Sequence, residues 1–337
     1  MNRLCLMIAM CAGCAAAKPD TRPRIPLTPP AELCGDPTLT PDRLCVPSAR
    51  LEPLLKTGRL EILQVRNPSS GTAGAKALII GLPDEKLVIK VKWKESKRGG
   101  DGFNNTPRKE LAAYELQKLF LAPDEYVVPP AVGRCLPANP VDGSLEDKDE
   151  TFKGVACVYG VLSYWLEHVT EEGVLDLPRF VRDEPYRTSV SNMNLVTYLI
   201  NHRDTRPSNF LIAKDPRSPR VFSIDNGLAF SGIRNPRQIF LHEWNYIVVP
   251  SLPRARIDKL RQLQRADFDK LAVVAQYVVR GNALEEVPPT APLAPDEGVR
   301  RAGDVIQLGL TKKEIDAIEK RLAELLAEVD KGKIALH

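Results

Sequence analysis

The sequence carries little excess of either charge. Its 47 Lys and Arg against 43 Asp and Glu leave a formal +4 over 337 residues, far from the electrostatic footprint of a nucleic-acid binder. Aromatic residues are few, at 6%, and they are not interleaved with a basic tract, so a stacking platform for bases is excluded as well. There are only four histidines, and no His-Glu-x-x-His or Cys/His cluster argues for a metalloprotease or a zinc site. The N-terminal apolar run is too short to span a bilayer, and no internal repeat is evident.

What is present first is a leader. MNRLCLMIAMCAGC places one arginine, Arg3, before a short apolar run that ends in small residues, the pattern of an export signal. Ala12-Gly13-Cys14 resembles a bacterial lipobox, in which Cys14 would take a lipid and anchor the mature protein to a membrane. Cys11 stands where an aliphatic residue is usual, and a plain signal cut near Ala15 to Ala17 is the alternative. Ala15 after Cys14 fits sorting to an outer membrane or cell surface, with a periplasmic or secreted protein as the other destinations. Once the leader's Cys5, Cys11 and Cys14 are set aside, four cysteines remain, an even number that suggests disulfides in an exported chain. Spacing favours Cys34 with Cys45 and Cys135 with Cys157, as structural bridges rather than reactive thiols; free buried cysteines are the alternative.

The chain divides by composition into a signal over 1–14, a Pro-rich tether and lead-in over 15–53, and one folded domain over 54–337, with a first lobe to about residue 154. Leu60 to Val65, Leu78 to Leu82 and Leu87 to Trp93 read as three successive strands of an antiparallel meander. Thr106 and Pro107 announce a helix, whose apolar face is Ala112, Leu116, Leu119 and Phe120. VACVYGVLSYWLE reads as a buried strand passing between lobes. Beyond it the pattern turns mainly helical: Asn192 to Ile200, Ile257 to Val279 as one or two helices, and a last helix opened by a Thr311/Glu314 capping box with core positions Ile315, Ile318, Leu322, Leu325 and Val329. Residues 282–298 read as a proline-rich connection.

The chemistry concentrates in HRDTRPSNFLIAKDPRSPRVFSIDNG, residues 202–227. Phe210 to Ala213 and Val221 to Ile224 flank a turn and predict a hairpin, whose one end would join Asn209 and Asp225, with Asp204 on the adjoining loop. Two carboxylates and an amide oxygen suit Mg²⁺ or Mn²⁺. The spacing His-Arg-Asp, then Asn five residues on, then a later Asp, matches the template for phosphoryl transfer. In it Asp204 accepts the proton of the attacking hydroxyl, Asn209 and Asp225 hold metal, and His202 and Arg203 brace the loop. His168, His242 and His337 show no motif context. The template also demands a strand lysine, a helix glutamate and a glycine-rich turn. Lys90 fits the first, with Lys92 as substitute; Glu110 fits the second; SSGTAGAKA, with Gly71, Thr72 and Gly74, fits the third.

GTAGAKALII, LVIKVKW, RKELAAYELQKLF followed by YVVPPAVGR, and SIDNG together resemble the secretory-pathway atypical kinases of the Golgi casein kinase and four-jointed type, which are distantly similar to HipA-like and phosphoinositide kinases. The resemblance spans roughly residues 60 to 230. It implies an α+β, bilobal protein-kinase-like fold, with a small antiparallel sheet and one helix in the first lobe and a mainly helical second lobe. It further implies ATP with Mg²⁺ or Mn²⁺ as cofactors, Lys90 at ATP, Glu110 on the helix, Asp204 as the catalytic aspartate, Asp225 at the metal, and a protein or glycan hydroxyl as acceptor. The catalytic loop departs from those kinases: His202-Arg203-Asp204 stands where they carry Asp-Arg-His, and no Ala-Pro-Glu segment follows. Kinases of small molecules or lipid headgroups use a related Asp-x-x-x-x-Asn loop, and ATP is scarce outside a bacterial cytoplasm. A small-molecule phosphotransferase and an inactive kinase-like binding module are therefore the competing expectations.

Overall fold

The computed structural model describes residues 47–66, 75–85, 87–102, 106–136, 150–230 and 243–337. The leader with Cys14, the Cys34 and Cys45 pair, and Gly71, Thr72 and Gly74 of the glycine-rich turn lie outside the described residues. A helix already occupies part of the segment whose composition reads as lead-in. Helix α1 runs Ser48–Thr57 and buries Leu51 and Leu55, one turn apart, despite Pro53 within it. Those two leucines pack with the first sheet, and this burial outweighs the helix-breaking tendency that makes the segment read as tether.

Strands β1 (Glu61–Arg66), β2 (Lys76–Leu82) and β3 (Leu87–Glu95) form the expected antiparallel meander. Helix α2 (Pro107–Gln117) follows, and β4 (Ala131–Leu136) and β5 (Val158–Tyr164) complete a five-stranded sheet in the order β1-β2-β3-β5-β4. This sheet therefore includes residues as far as Tyr164, because β5 inserts between β3 and β4. Its run of apolar residues is that of a central strand buried on both faces. Cys135 on β4 and Cys157, just before β5, form a disulfide with their Cα atoms 5.6 Å apart.

The second part begins with β6 (Val169–Thr170), α3 (Leu177–Arg182) and α4 (Glu184–Leu199). Helix α4 starts eight residues before the expected Asn192 because Asp183 caps it, accepting from the Tyr186 amide at 3.1 Å. The predicted hairpin is present as β7 (Phe210–Ala213) and β8 (Val221–Ser223), with β6 as its third strand. Next come the short β9 (Ser251–Leu252), α5 (Arg254–Gln262) and α6 (Arg265–Asp269).

Residues 275–308 depart from the expected helix and connection. They form a four-stranded antiparallel sheet of β10 (Ala275–Arg280), β11 (Ala283–Glu286), β12 (Val299–Ala302) and β13 (Val305–Leu308). Two-residue turns, Gly281-Asn282 and Gly303-Asp304, close its hairpins, with both glycines at positive φ. These are hairpin signals in their own right; only the proline-rich stretch between β11 and β12 is connection. This sheet packs back on the first lobe: Tyr277 donates to the Gly133 carbonyl at 3.3 Å, and Lys56 pairs with Glu286 at 2.7 Å. Helix α7 (Lys312–Asp330) carries the predicted capping box and buries all five predicted core positions, and β14 (Ala335–Leu336) pairs with β9.

Candidate active site

A cleft of about 440 Å³ opens between the sheet of the first lobe and the β7–β8 hairpin. Its lining has an apolar part, Val128, Ala131, Leu166, Val169, Leu211 and Ile224, and a polar part, Lys92, Lys94, Glu110, Arg206, Asn209 and Asp225, most of which pair with one another. Ala75, the first described residue after the glycine-rich turn, also lines it.

Asp225 is the centre of the polar part. It follows β8 with φ at +59°, a left-handed conformation that Asp tolerates better than most residues. Its Oδ1 accepts from Lys94 Nζ at 2.7 Å and lies 3.3 Å from Lys92 Nζ. Its Oδ2 is 3.6 Å from the Arg206 guanidinium. Burial alone would raise this carboxyl's pKa, but the Lys92 and Lys94 ammonium groups outweigh it and hold the group well below the usual carboxylate range. Lys94 shows the mirror image: burial works against its charge, yet Glu110 and Asp225 raise its pKa.

Glu110 comes from the first turn of α2. Its Oε1 lies 3.5 Å from Lys94 Nζ, and its Oε2 accepts from the Asn226 amide at 2.8 Å. One carboxylate thereby ties the strand lysine to the backbone beside Asp225. Gly227 sits beneath this knot, where an added Cβ would stand 3.3 Å from Lys94 Nζ and 3.4 Å from Glu110 Oε1.

Asn209 ends a short 3-10 turn, Pro207–Asn209, immediately before β7. Its carbonyl accepts from the Ile224 amide at 2.9 Å, which sets it across the hairpin end from Asp225. Its side-chain nitrogen donates to the Asp204 carbonyl at 2.8 Å, leaving its amide oxygen for the cleft. Asp204 is buried and does not itself line the cleft. Its Oδ2 accepts from Arg206 at 2.7 Å, while Oδ1 is buried with no hydrogen-bond partner. His202 is fully buried against Phe210, with ring centroids 5.2 Å apart, and against the Ile224 backbone. Burial pushes its pKa down to about 4, although Asp204 and Asp225 pull the other way. A ring so enclosed favours the neutral form.

Lys90 is a correction. Its ammonium stands 4.0 Å over the Trp165 ring and 3.5 Å from Glu167, outside the cleft lining. Lys94 takes the place expected of it, and Lys92, the named substitute, stands beside Lys94. Alternation identifies the strand face but not the position along it: Lys90, Lys92 and Lys94 share one face. Lys94 and Arg206 are the site residues that sequence reasoning missed. For Arg206 the signal was available, since it lies two residues after Asp204 on the same loop.

The donors in the polar part suit a hard divalent cation. Among the described residues no three His, Cys, Asp or Glu side chains converge, so a metal would rest on Asp225 and the Asn209 amide oxygen, completed by ligand phosphates. That is the manner in which Mg²⁺ is ordinarily held.

No family model matches the chain, and no curated protein does. Among solved structures it is similar to one titled "Crystal structure of the golgi casein kinase", with a TM-score of 0.46 and 14% identity, covering 83% of this chain and 74% of that one. So distant a likeness assigns no family. The strand lysine tied to a helix glutamate, the His-Arg-Asp loop and the hairpin-end aspartate make the arrangement kinase-like on their own geometry.

Proposed function

We propose that this protein is a phosphotransferase that moves the γ-phosphoryl group of ATP to a hydroxyl of an exported protein or glycan. The observation that carries this reading is the convergence, on one cleft, of Lys94, Glu110 and Asp225, drawn from β3, α2 and the end of β8, with Asn209 beside them. A scaffold or binding module has no physical need to bury so many charges in an otherwise apolar cleft, because each costs desolvation free energy.

The roles follow from charge and reach. The apolar lining residues suit a nucleotide base, and Lys92, Lys94 and Arg206 suit its phosphates. Glu110 keeps Lys94 extended toward them. Asp225 and Asn209 would hold Mg²⁺ or Mn²⁺, which when bound neutralises charge on the donor phosphates. Asp204, expected to take the proton of the acceptor hydroxyl, lies outside the cleft lining, so its part here is to hold Arg206 through its carboxylate and Asn209 through its carbonyl toward the ligand. Phosphoryl transfer asks mainly for positioning and charge neutralisation, and the cleft offers both. The Cys135–Cys157 disulfide fits an oxidising compartment, which supports the export reading of the leader. Lipidation at Cys14 and an outer-membrane or surface location belong to the same proposal.

The test is thermal unfolding of the purified protein with ATP and either Mg²⁺ or Mn²⁺, beside Asp225→Ala. A ligand that binds only the folded state at about 100 times its Kd adds about 2.7 kcal/mol of stability. The expected result is a rise of a few degrees in wild type that requires metal and is lost in the variant, followed by phosphate incorporation from labelled ATP into acceptor proteins or glycans. No shift with either metal would overturn the reading.

A further inference from the structure

Helix α2 is unusual in what surrounds it. Nearly every residue from Pro107 to Gln117 is buried, the charged Arg108, Lys109 and Glu110 as well as the apolar face, so polar partners must meet it on several sides. Glu110 faces the cleft. Arg108, two residues earlier and therefore about 200° around the helix, faces the opposite way into the C-terminal part of the chain. Its Nε donates to Asp101 at 2.6 Å. Its Nη1 donates to Glu314 Oε2 at 2.6 Å and to the Gly309 carbonyl at 3.1 Å, and its Nη2 donates to Glu314 Oε1 at 3.2 Å. Lys109 adds an ion pair to Glu314 at 3.4 Å. The guanidinium is thus held in a two-pronged pair across 206 positions of sequence, the geometry that gives such pairs their directional specificity.

The socket that receives Arg108 is itself built. Gly298 passes so close that a Cβ there would fall 2.0 Å from Arg108 Nε, leaving room for no side chain. Arg300, fully buried, binds the Ala294, Ala272 and Leu310 carbonyls at 2.5 to 2.8 Å, and the Gly309 amide bonds to the Gly298 carbonyl at 3.0 Å. Glu314 is fixed from its other side by the α7 cap, accepting from the Thr311 amide at 2.9 Å.

We propose that Arg108 and Glu314 are positioning residues: α7 and the C-terminal sheet grip α2 from its outer side and thereby hold Glu110 against Lys94. The inference rests on the phosphotransferase reading for its catalytic consequence, but not for its mechanical one. Glu110 is tied to α2 by its backbone, and α2 can swing away from the cleft only by withdrawing Arg108 from its socket. The position of the Lys94–Glu110 pair is therefore set by a remote ion pair rather than by the cleft alone.

The experiment compares wild type, Glu314→Gln and Tyr277→Phe. Glutamine keeps the capping box and removes the charge by which α7 holds Arg108, leaving only the Asp101 pair. Tyr277→Phe is the control, removing a hydrogen bond of the same C-terminal sheet to Gly133 on β4 rather than to α2. Amide hydrogen exchange over Arg108 to Ala113 is measured together with ATP turnover and thermal midpoint. In Glu314→Gln those amides should exchange about tenfold faster than in wild type, and kcat should fall about tenfold with a smaller change in KM. In the control, exchange in α2 should stay at the wild-type level. If exchange in α2 is unchanged in Glu314→Gln, or rises only as far as the loss of global stability accounts for in both variants, the proposal is overturned. The exchange arm requires no catalysis, so a wild type without ATP turnover would count against the phosphotransferase reading while the grip on α2 is still decided.

Discussion

Lys94 donates to Asp225 at 2.7 Å across 131 positions of sequence, whereas Lys90, on the same face of the same strand, stands over the Trp165 ring. Four residues of extended chain separate the two lysines by about 13 Å, more than either side chain can make up. Only one of them can serve a phosphate bound beside Asp225, with Lys92 between them as a second cation.

This relationship sets an order among three variants. Lys94→Met is expected to lower phosphoryl transfer by about 10²-fold or more, the usual cost of losing one preorganised donor at the reacting centre. Lys92→Met should raise KM for ATP with a smaller effect on kcat. Lys90→Met should leave both within about threefold of wild type, since Lys90 does not line the cleft and its loss removes only a contact of the kind worth about 1 kcal/mol behind the Trp165 ring. Steady-state kinetics with ATP decides the matter: an order led by Lys90 would unseat Lys94.

The lysine also shows how far the sequence could be read. Period-two alternation gave the correct face of β3, because burial acts on faces. The position along the strand was not legible, since it depends on where α2 and the β7–β8 hairpin dock, and these come from segments far away in the chain. The hairpin itself was legible from two short apolar runs around a turn. The α7 face was legible because the capping box and five apolar positions agree on one helix. Residues 275–308 were missed because prolines drew attention from two Gly-containing hairpin turns. The Arg108 socket had no local signal at all: Gly298, Arg300, Gly309 and Glu314 acquire meaning only when the C-terminal sheet folds back on the first lobe.

Gly227 offers a sharper probe of the same site. In Gly227→Ala the new methyl would press on the flexible ends of Lys94 and Glu110, at 3.3 and 3.4 Å, rather than on backbone. Both side chains can give way by a few tenths of an ångström, so the fold should survive. Since misplacement of about 1 Å can cost about 10²-fold, a shift of this size should cost about tenfold in kcat/KM. Kinetics and thermal midpoint are measured side by side: activity should fall while the midpoint stays nearly unchanged. Full activity would mean that the Lys94–Glu110 distance is not critical.

His202 makes the stability of the fold depend on pH. In the unfolded chain its ring takes up a proton below about pH 6.5, but in the folded protein burial delays this until about 4. Between those values the unfolded state binds more protons, so stability is lost as pH falls through the window and is fully present above it. The complete effect is about 3 kcal/mol. His337, whose pKa burial also lowers, moves in the same direction, so the comparison must be with a variant and not with pH alone. Denaturant midpoints of wild type and His202→Gln, followed from neutral pH to about 4.5, should converge as pH falls, because only wild type retains this proton linkage. Parallel curves would mean that His202 is not held neutral within the 202–209 loop, and its bracing role would have to be given up.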